Sequence, residues 1–416
     1  VQTEKARQRM NSQPSEKQHP HFSNRDVSLI AALFLVDWVI VTGTLMLPAL
    51  FPSLSVYFDE PVETITLASS VLAFTGLLAP LFGPWIDRYG YRIFLLGGLV
   101  VFSLGNLAST VSRLFWLFLV CIAVIGISRS VLDVVITSFI GDAFDYELRG
   151  RVMGTVRVAI SLALIIGVPA ATFITDIFSI KGAFWGLALW TILVLILISV
   201  LINNRPTRVN GTASPQASFH MESYLSILKQ KEALISLATS FLWSFIPTGV
   251  LLYLADWLQR SYSFSETRVG LAFSFIGIGS LAGNSLSAFF ADRLGKKRVV
   301  LIGLFLMAMV TVVLTLPGAA WLTFAFLFLF AAGLDLSSSA FFTLVTEINS
   351  QFRATLLSLT TFAIGVATGL TPILMRPLWR AGGYQLITLV CSFLGFCVVL
   401  MISLFIREQE TIKSVS

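Results

Sequence analysis

Apolar runs and short polar knots alternate along almost the whole chain. The runs cover about 27–51, 63–84, 92–111, 114–140, 151–175, 182–202, 233–258, 268–290, 298–316, 320–345, 354–375 and 383–406. Each is close to the ~20 residues that an α-helix needs to cross the hydrocarbon core of a bilayer. A chain of such segments must satisfy its backbone hydrogen bonds internally, so the pattern predicts helices. Three stretches break the alternation. Residues 1–26 are polar without apolar periodicity and read as a disordered tail, with no cleavable signal peptide expected ahead of the first span. Residues 203–232 carry Pro206, Gly211 and Pro215 and read as a linker. Within it, Phe219 to Lys231 puts Tyr224, Leu225 and Leu228 on one face, the pattern of a short helix lying on the membrane surface or binding a partner. Residues 407–416 form a second polar tail.

Two of the knots recur. Gly83 to Arg92 reads GPWIDRYGYR, with Gly83, Asp87, Arg88, Gly90 and Arg92. It returns from Ala288 to Arg298, where Asp292, Arg293 and Gly295 stand 205 positions after Asp87, Arg88 and Gly90. The knot after the fourth run holds Asp142, Asp145, Glu147, Arg149, Gly150 and Arg151, and its faded copy runs from Glu347 to Arg353. Arg149 and Arg353 are 204 apart. A shared offset in two separate knots divides the chain into related halves, 27–202 and 233–406.

Composition agrees with a polytopic membrane protein. Of 416 residues 56% are hydrophobic and 12% charged, with mean hydropathy +0.86; soluble proteins carry about 25% charged residues. The net charge of +6 is explained by topology rather than by nucleic acid. With the N-terminus inside, 20 Lys and Arg fall on cytoplasmic segments and six on outer ones, so both termini are expected in the cytoplasm of a cell-membrane protein. Cys121, Cys391 and Cys397 lie in apolar runs and suggest neither a disulfide framework nor a zinc site. His19 and His21 lie in the tail and His220 in the linker. No His–Cys or His–Glu cluster and no phosphate-binding Gly-rich loop with Lys-Ser/Thr is present, so no metal, cofactor or catalytic chemistry is expected.

Charges inside the runs are the sharpest chemical signal, because each costs about 2.5–3.5 kcal/mol at a helix centre. Asp37 sits in helix 1, Arg129 and Asp133 one turn apart in helix 4, Arg157 in helix 5 and Asp335 in helix 10. They read either as a site that orients solute and couples ions, or as an ion-pair network tying helices 1, 4 and 5. Asp133 has Arg129 one turn away. Asp335 has no Lys or Arg within the apolar spans of helices 7 to 12. That marks it as a proton carrier or a seat for a cationic solute, with Asp37 the alternative. Trp38, Trp243, Tyr253 and Phe341 are candidates for an aromatic cavity suited to a flat or cationic solute, or else packing residues. Pro247 marks a break point in helix 7, and Gly167-Val168-Pro169 a kink or a close approach in helix 5.

The loop Gly-x-x-x-Asp-Arg-x-Gly-x-Arg resembles the signature loop of the major facilitator superfamily between helices 2 and 3, and the whole chain fits that resemblance. The resemblance implies an all-α fold of about twelve transmembrane helices in two pseudo-symmetric six-helix bundles, with helices 1, 4, 7 and 10 lining a central cavity. Asp37, Arg129, Asp133 and Asp335 fall on three of those four. It implies that Asp87 seats at the N-terminus of helix 11 when the cytoplasmic side closes, and that Arg92 pairs with Asp142. Tyr91 stands where the family has a basic residue. Residues 167–172 resemble a degraded antiporter motif, with Val168 in place of a glycine. The arginine that drug:proton antiporters carry four residues before a helix-4 glycine is replaced by Ile122, and Arg129 lies about 10 Å deeper.

The expected function is proton-coupled export of a small organic solute by a monomer, with the solute, the proton and the lipid bilayer as its partners. An uptake symporter or uniporter of the same fold, or a lipid flippase or non-transporting receptor, are the alternatives. The topology is directly testable. A cysteine replacing Ser214, with Cys121, Cys391 and Cys397 removed, is expected to resist impermeant thiol reagents in intact cells and to react after permeabilisation. Ready labelling from outside would reverse the orientation.

Overall fold

A computed structural model describes residues 24–201, 230–316, 318–348 and 353–405. The expected linker helix up to residue 229, the first tail up to residue 23 and the second tail lie outside these residues, while residues 24–26, expected in the first tail, are helical. The described chain is helical, without strands. Helix α1 runs Asn24–Ala49 and continues as Phe51–Phe58. Helix α2 comprises Val62–Gly76 and Ala79–Tyr89, bent by 48° between them. Then come α3 (Tyr91–Val111), α4 (Phe115–Ala143), α5 (Tyr146–Leu162, a π-turn Ala163–Gly167, and Val168–Ile177) and α6 (Ile180–Leu201). The second half holds α7 (Lys231–Tyr262), α8 (Glu266–Leu294), α9 (Lys296–Val313), α10 (Ala320–Ile348), α11 (353–382) and α12 (383–405). Nine helices pass as apolar spans on their own. The last of these is divided by Gly382 and Gly383 into α11 and α12. With the bent α2 and the short α9, twelve spans result among the described residues. Large apolar side chains such as Leu104, Val120, Leu193, Ile302 and Phe393 lie exposed along the flanks. Such surface is costly in water and normal in lipid.

Gly83 to Arg92 is not the loop that its polarity predicts. Helix α2 continues through Asp87 and Arg88 to Tyr89, and the reversal is made by Gly90 alone, at φ 86°. Gly295 does the same between α8 and α9 at φ 91°. An L side chain is strained at such angles, so the glycine completes the turn without a loop. The reversal between α11 and α12 uses Gly383 at φ 62° and ψ −154°, a region open to glycine almost alone. Pro247 corrects a second expectation, since α7 runs unbroken from Lys231 to Tyr262. A proline removes one intrahelical bond, which neighbouring helices tolerate in a membrane bundle.

Within the second half, missing side chains let backbones meet. A Cβ on Gly279 or Gly283 of α8 would collide with the carbonyls of Phe328 and Ala332 on α10. One on Gly303 of α9 would lie 2.6 Å from the Gly333 carbonyl oxygen and 2.7 Å from the Ser337 nitrogen. Small residues at helix crossings are how membrane helices gain van der Waals contact without a hydrophobic driving force. The seams between halves use the same device. Helix α5 packs on α8 and α2 on α11. Thr172 presses on Gly270, Leu164 and Ile165 on Gly277, Leu77 on Gly365 and Phe74 on Gly369.

These contacts set an expectation. Gly303→Ala should cost about 1–3 kcal/mol by overpacking, read as a lower thermal midpoint in detergent. Gly97→Ala on α3, where a Cβ meets nothing within 4 Å, should be neutral or stabilising through helix propensity. Equal midpoints for the two variants would refute the close α9–α10 crossing.

Candidate functional site

The charges scattered through helices 1, 4 and 5 meet at one residue. Arg157 of α5 donates from Nη1 to Asp37 Oδ1 at 3.1 Å and from Nη2 to Asp133 Oδ1 at 2.7 Å. The rigid fork of a guanidinium suits it to hold two carboxylates at once. Asp37 is fully buried, whereas the side chains of Asp133 and Arg157 are 44% and 31% exposed. The site is therefore accessible at Asp133 and Arg157 and closed at Asp37 of α1. Arg129 lies within electrostatic range of Asp133, Asp37 and Arg157. Among the described residues it has no acidic partner at ion-pair distance. The partner that sequence spacing offered to Asp133, Arg129, is thus replaced by Arg157, and the tie between helices 1, 4 and 5 is present.

The π-turn begins six residues after Arg157. Such bulges arise often at functional sites. Here it precedes Pro169 and brings Gly167 against Thr42 of α1, where a Cβ would sit 2.7 Å from Thr42 Cγ2. The kink and the close approach are both realised. Ser274 of α8 donates to the Ile165 carbonyl inside the π-turn at 3.0 Å, and the Ser161 and Ser280 hydroxyls are 3.3 Å apart. Ser280 leads to Asp335. Ser280, Asn284 and Ser338, all neutral, lie beside the Asp335 carboxylate, and the Ser338 hydroxyl donates to the Asp335 backbone carbonyl at 3.4 Å. Asn284 in turn accepts from Ser339 at 2.5 Å and donates to the Ser280 carbonyl at 3.1 Å. Asp335 therefore sits among hydroxyl and amide groups, whereas Asp37 and Asp133 are held by a guanidinium.

The two ends of the bundle differ. We call the end bearing Gly90 and Gly295 the basic face and the other the far face. Contacts between halves run from mid-bundle to the far face. Arg380 of α11 pairs with Glu63 of α2 at 3.1 Å, and Arg376 donates to Thr64 at 3.3 Å. Thr267 of α8 donates to Asp176 of α5 at 2.6 Å. Glu266 accepts from Ser53 of α1 and, at 2.9 Å, from Gln259 of α7. Toward the basic face the Ala79–Tyr89 part of α2 packs on α3 and α4 of its own half, while the Leu67–Gly76 part packs on α11. These polar contacts between the halves, among the described residues, gather at the far face.

At the basic face, Asp87, Arg88 and Asp142 are exposed. Asp142 accepts from the Tyr91 hydroxyl at 2.5 Å, so the tyrosine at the family's basic position still engages the end of α4. Arg149 Nε donates to the Phe144 carbonyl at 2.9 Å, satisfying an orphan acceptor beyond the C-terminus of α4. Arg293 stacks over Phe289 at 4.0 Å; the side chain of Asp292 lies outside the described residues. Asp87 is exposed, and the first side chains of α11, where its seat is expected, lie outside the described residues.

The four aromatic candidates contact packing partners in their own halves. Trp38 meets Trp190 of α6 edge-on at 4.5 Å, and Tyr253 stacks on Trp379 of α11 at 4.5 Å. Trp243 and Phe341, 6.3 Å apart, line a small gap of about 10 Å³ between α7, α9, α10 and α12. Arg157 was visible as a buried charge, but its place between two acids was not, because spacing along one helix says nothing of a partner on another. Glu63, Asp176, Glu266 and Arg380 sit at span ends, where charges are ordinary.

Comparison with known proteins fits this geometry. The sequence pattern of the Major Facilitator Superfamily matches residues 29–265 and 248–416. An uncharacterized MFS-type transporter of Bacillus subtilis (strain 168), YwfA, is 28% identical over 377 residues, 88% of this chain and 90% of its own. The chromaffin granule amine transporter of Homo sapiens is 23% identical over 252 residues, 60% of this chain and 46% of its own. Multidrug resistance protein 1 of Bacillus subtilis (strain 168) is 28% identical over 132 residues, 32% of this chain and 33% of its own. The crystal structure of a D-xylose-proton symporter shares the fold, with TM-score 0.76 over 92% of this chain and 98% of its own at 16% identity. With the family pattern spanning both halves and the twelve-helix fold shared, this chain belongs to the major facilitator superfamily of membrane transporters.

Proposed function

We propose that this transporter exports a small organic solute across the cytoplasmic membrane in exchange for protons. Both termini and the basic face lie in the cytoplasm. The observation that carries the reading is the pair of unlike acidic sites on the two halves. Arg157 holds Asp37 and Asp133, and Asp335 stands among neutral groups. Excess Lys and Arg on the basic face supports the orientation. The far-face contacts then close the outer side, with the solute path leading from the cytoplasm to the Asp133–Arg157 edge. Relatives named as an amine transporter and a multidrug resistance protein support an organic solute.

In this reading Asp335 is the proton carrier. A carboxylate with no cation beside it changes charge when it takes up or gives up a proton, and that change is felt across the nearby seam between halves. The first-half acids are balanced by Arg157 and Arg129, so their part is to hold α1, α4 and α5 in register and orient the solute. Trp38, Trp243, Tyr253 and Phe341 shape the walls from behind rather than by contact with it.

Two measurements test the assignments. Transport into everted vesicles, followed as a function of pH, should lose its pH dependence in Asp335→Asn and keep it, at a lower rate, in Asp37→Asn. If Asp335→Asn keeps both wild-type rate and profile while Asp37→Asn loses them, the coupling acid is Asp37. Flux only in right-side-out vesicles would replace export by uptake. Arg157→Gln should be far more damaging than Arg129→Gln. Removing one partner of a buried ion pair costs about 3–5 kcal/mol. The expected result is loss of folded protein on size-exclusion chromatography, with partial recovery in Arg157→Lys. Normal yield and transport in Arg157→Gln would show that the fork is dispensable.

A further inference from the structure

Two contacts across the far face are related by the internal repeat. Glu63 opens α2 and Thr267 opens α8, and these helices are the second of each half; the two positions are 204 apart. Asp176 ends α5 and Arg380 lies at the far-face end of α11, the fifth of each half; they too are 204 apart. That is the offset between Arg149 and Arg353, found at the opposite face. Glu63 pairs with Arg380, and Thr267 pairs with Asp176. The same contact therefore appears twice, once on each side of the pseudo-twofold axis. In the second copy the acid has moved to the partner helix and the cation has become a hydroxyl.

We infer that Glu63–Arg380 and Thr267–Asp176 are the two arms of a latch that holds the far face shut, made unequal by the sequence of the second arm. This rests on the reading that the halves alternate between faces, and not on the solute, the direction or the coupling ion. Three observations carry it. Both arms join opposite halves, and they straddle the bundle on the α2–α11 and α5–α8 seams. Both lie outward of the closest glycine contacts, Phe74 on Gly369 and Thr172 on Gly270, so they sit where parting of the seams must begin. The arms also differ physically. Glu63 is 15% exposed, so its ion pair with Arg380 is shielded on one side. Asp176 is exposed, and its only partner in the arm is a neutral hydroxyl. Among the charged neighbours, Glu266 lies within electrostatic range of Asp176, Arg376 bonds Thr64 beside Glu63, and Asp256, paired with Arg260, lies within electrostatic range of Glu63.

A latch with one firm arm and one soft arm closes on both seams but releases on one first. The α5–α8 side is the soft side. It is also the side that contains the π-turn and the Ser161–Ser280 contact beside Asp335. Opening of the far face would then start next to that acid rather than at the α2–α11 seam.

The test reads opening alone and needs no solute or ion gradient. A single cysteine replaces Thr172, which is fully buried at the α5–α8 seam, in protein lacking Cys121, Cys391 and Cys397. Its labelling by an impermeant thiol reagent added at the far face of right-side-out vesicles is timed. Glu63→Gln should speed labelling about two- to fivefold, the range of a partly exposed ion pair. Thr267→Val should speed it about twofold, and the double variant more than either. Thr267→Arg places a guanidinium opposite Asp176 and should slow labelling about two- to fivefold. The exchange Glu63→Arg with Arg380→Glu should restore the parent rate, which guards against a variant that is merely misfolded. Unchanged labelling in both Glu63→Gln and Thr267→Arg, or no recovery in the exchanged pair, overturns the latch. Because Asp335→Asn is read by transport and the latch by labelling, failure of one leaves the other standing.

Discussion

The whole first half depends on how charge is neutralised in a medium that cannot solvate it. Asp37 is fully buried, and an isolated carboxylate there would be strongly disfavoured. Arg157 answers that cost by reaching α1 and α4 together. Three helices are thereby fixed in rotation as well as in position, since turning any one of them would pull a charge off its partner. The π-turn and Gly167 follow from this constraint. With Arg157 pinned to α1, the rest of α5 must be rephased to lay Gly167 against Thr42 and Ile165 against α8. The second half pairs its buried Asp256 with Arg260 of the same helix and surrounds Asp335 with neutral hydroxyl and amide groups.

Beyond that, adhesion rests on van der Waals contact at glycines. Lipid tails are as apolar as Leu, so helices gain little by hiding apolar side chains from them. Gly279, Gly283, Gly303 and Gly333 bring α8, α9 and α10 to backbone contact. The seams between halves use glycine on the second-half side alone, at 270, 277, 365 and 369, against larger side chains of the first half. A smooth face against a knobbed one suits a joint that has to part and close again.

Much of this was legible in the chain. Twelve apolar runs became twelve spans because the bilayer fixes their length and the backbone leaves no alternative to helix. The 205-residue echo of Asp87 and Gly90 became two matching glycine turns. Legibility failed where the third dimension decides. Polarity from Gly83 to Arg92 looked like a loop, yet charged residues continue a helix readily once it leaves the hydrocarbon. Pro247 looked like a break, but losing one hydrogen bond does not end a helix held by its neighbours. Asp133 looked paired to Arg129 because they share a helix face, whereas Arg157 approaches from another helix. The aromatic residues could not be sorted into cavity and packing by type, since both uses favour large flat rings.

The single-residue turn at Gly90 carries a mechanical consequence. With Gly295, Gly383 and the other joints among the described residues, the connections inside each half are from one to about six residues long. Joints that short hold no slack, so neighbouring helices cannot slide lengthwise past each other. The only long connection is the stretch of about 30 residues between α6 and α7. That long connection lies between the two halves. Each half is built to move as one piece, and the chain could be cut between them and supplied as two separate polypeptides without severing any of the tight turns.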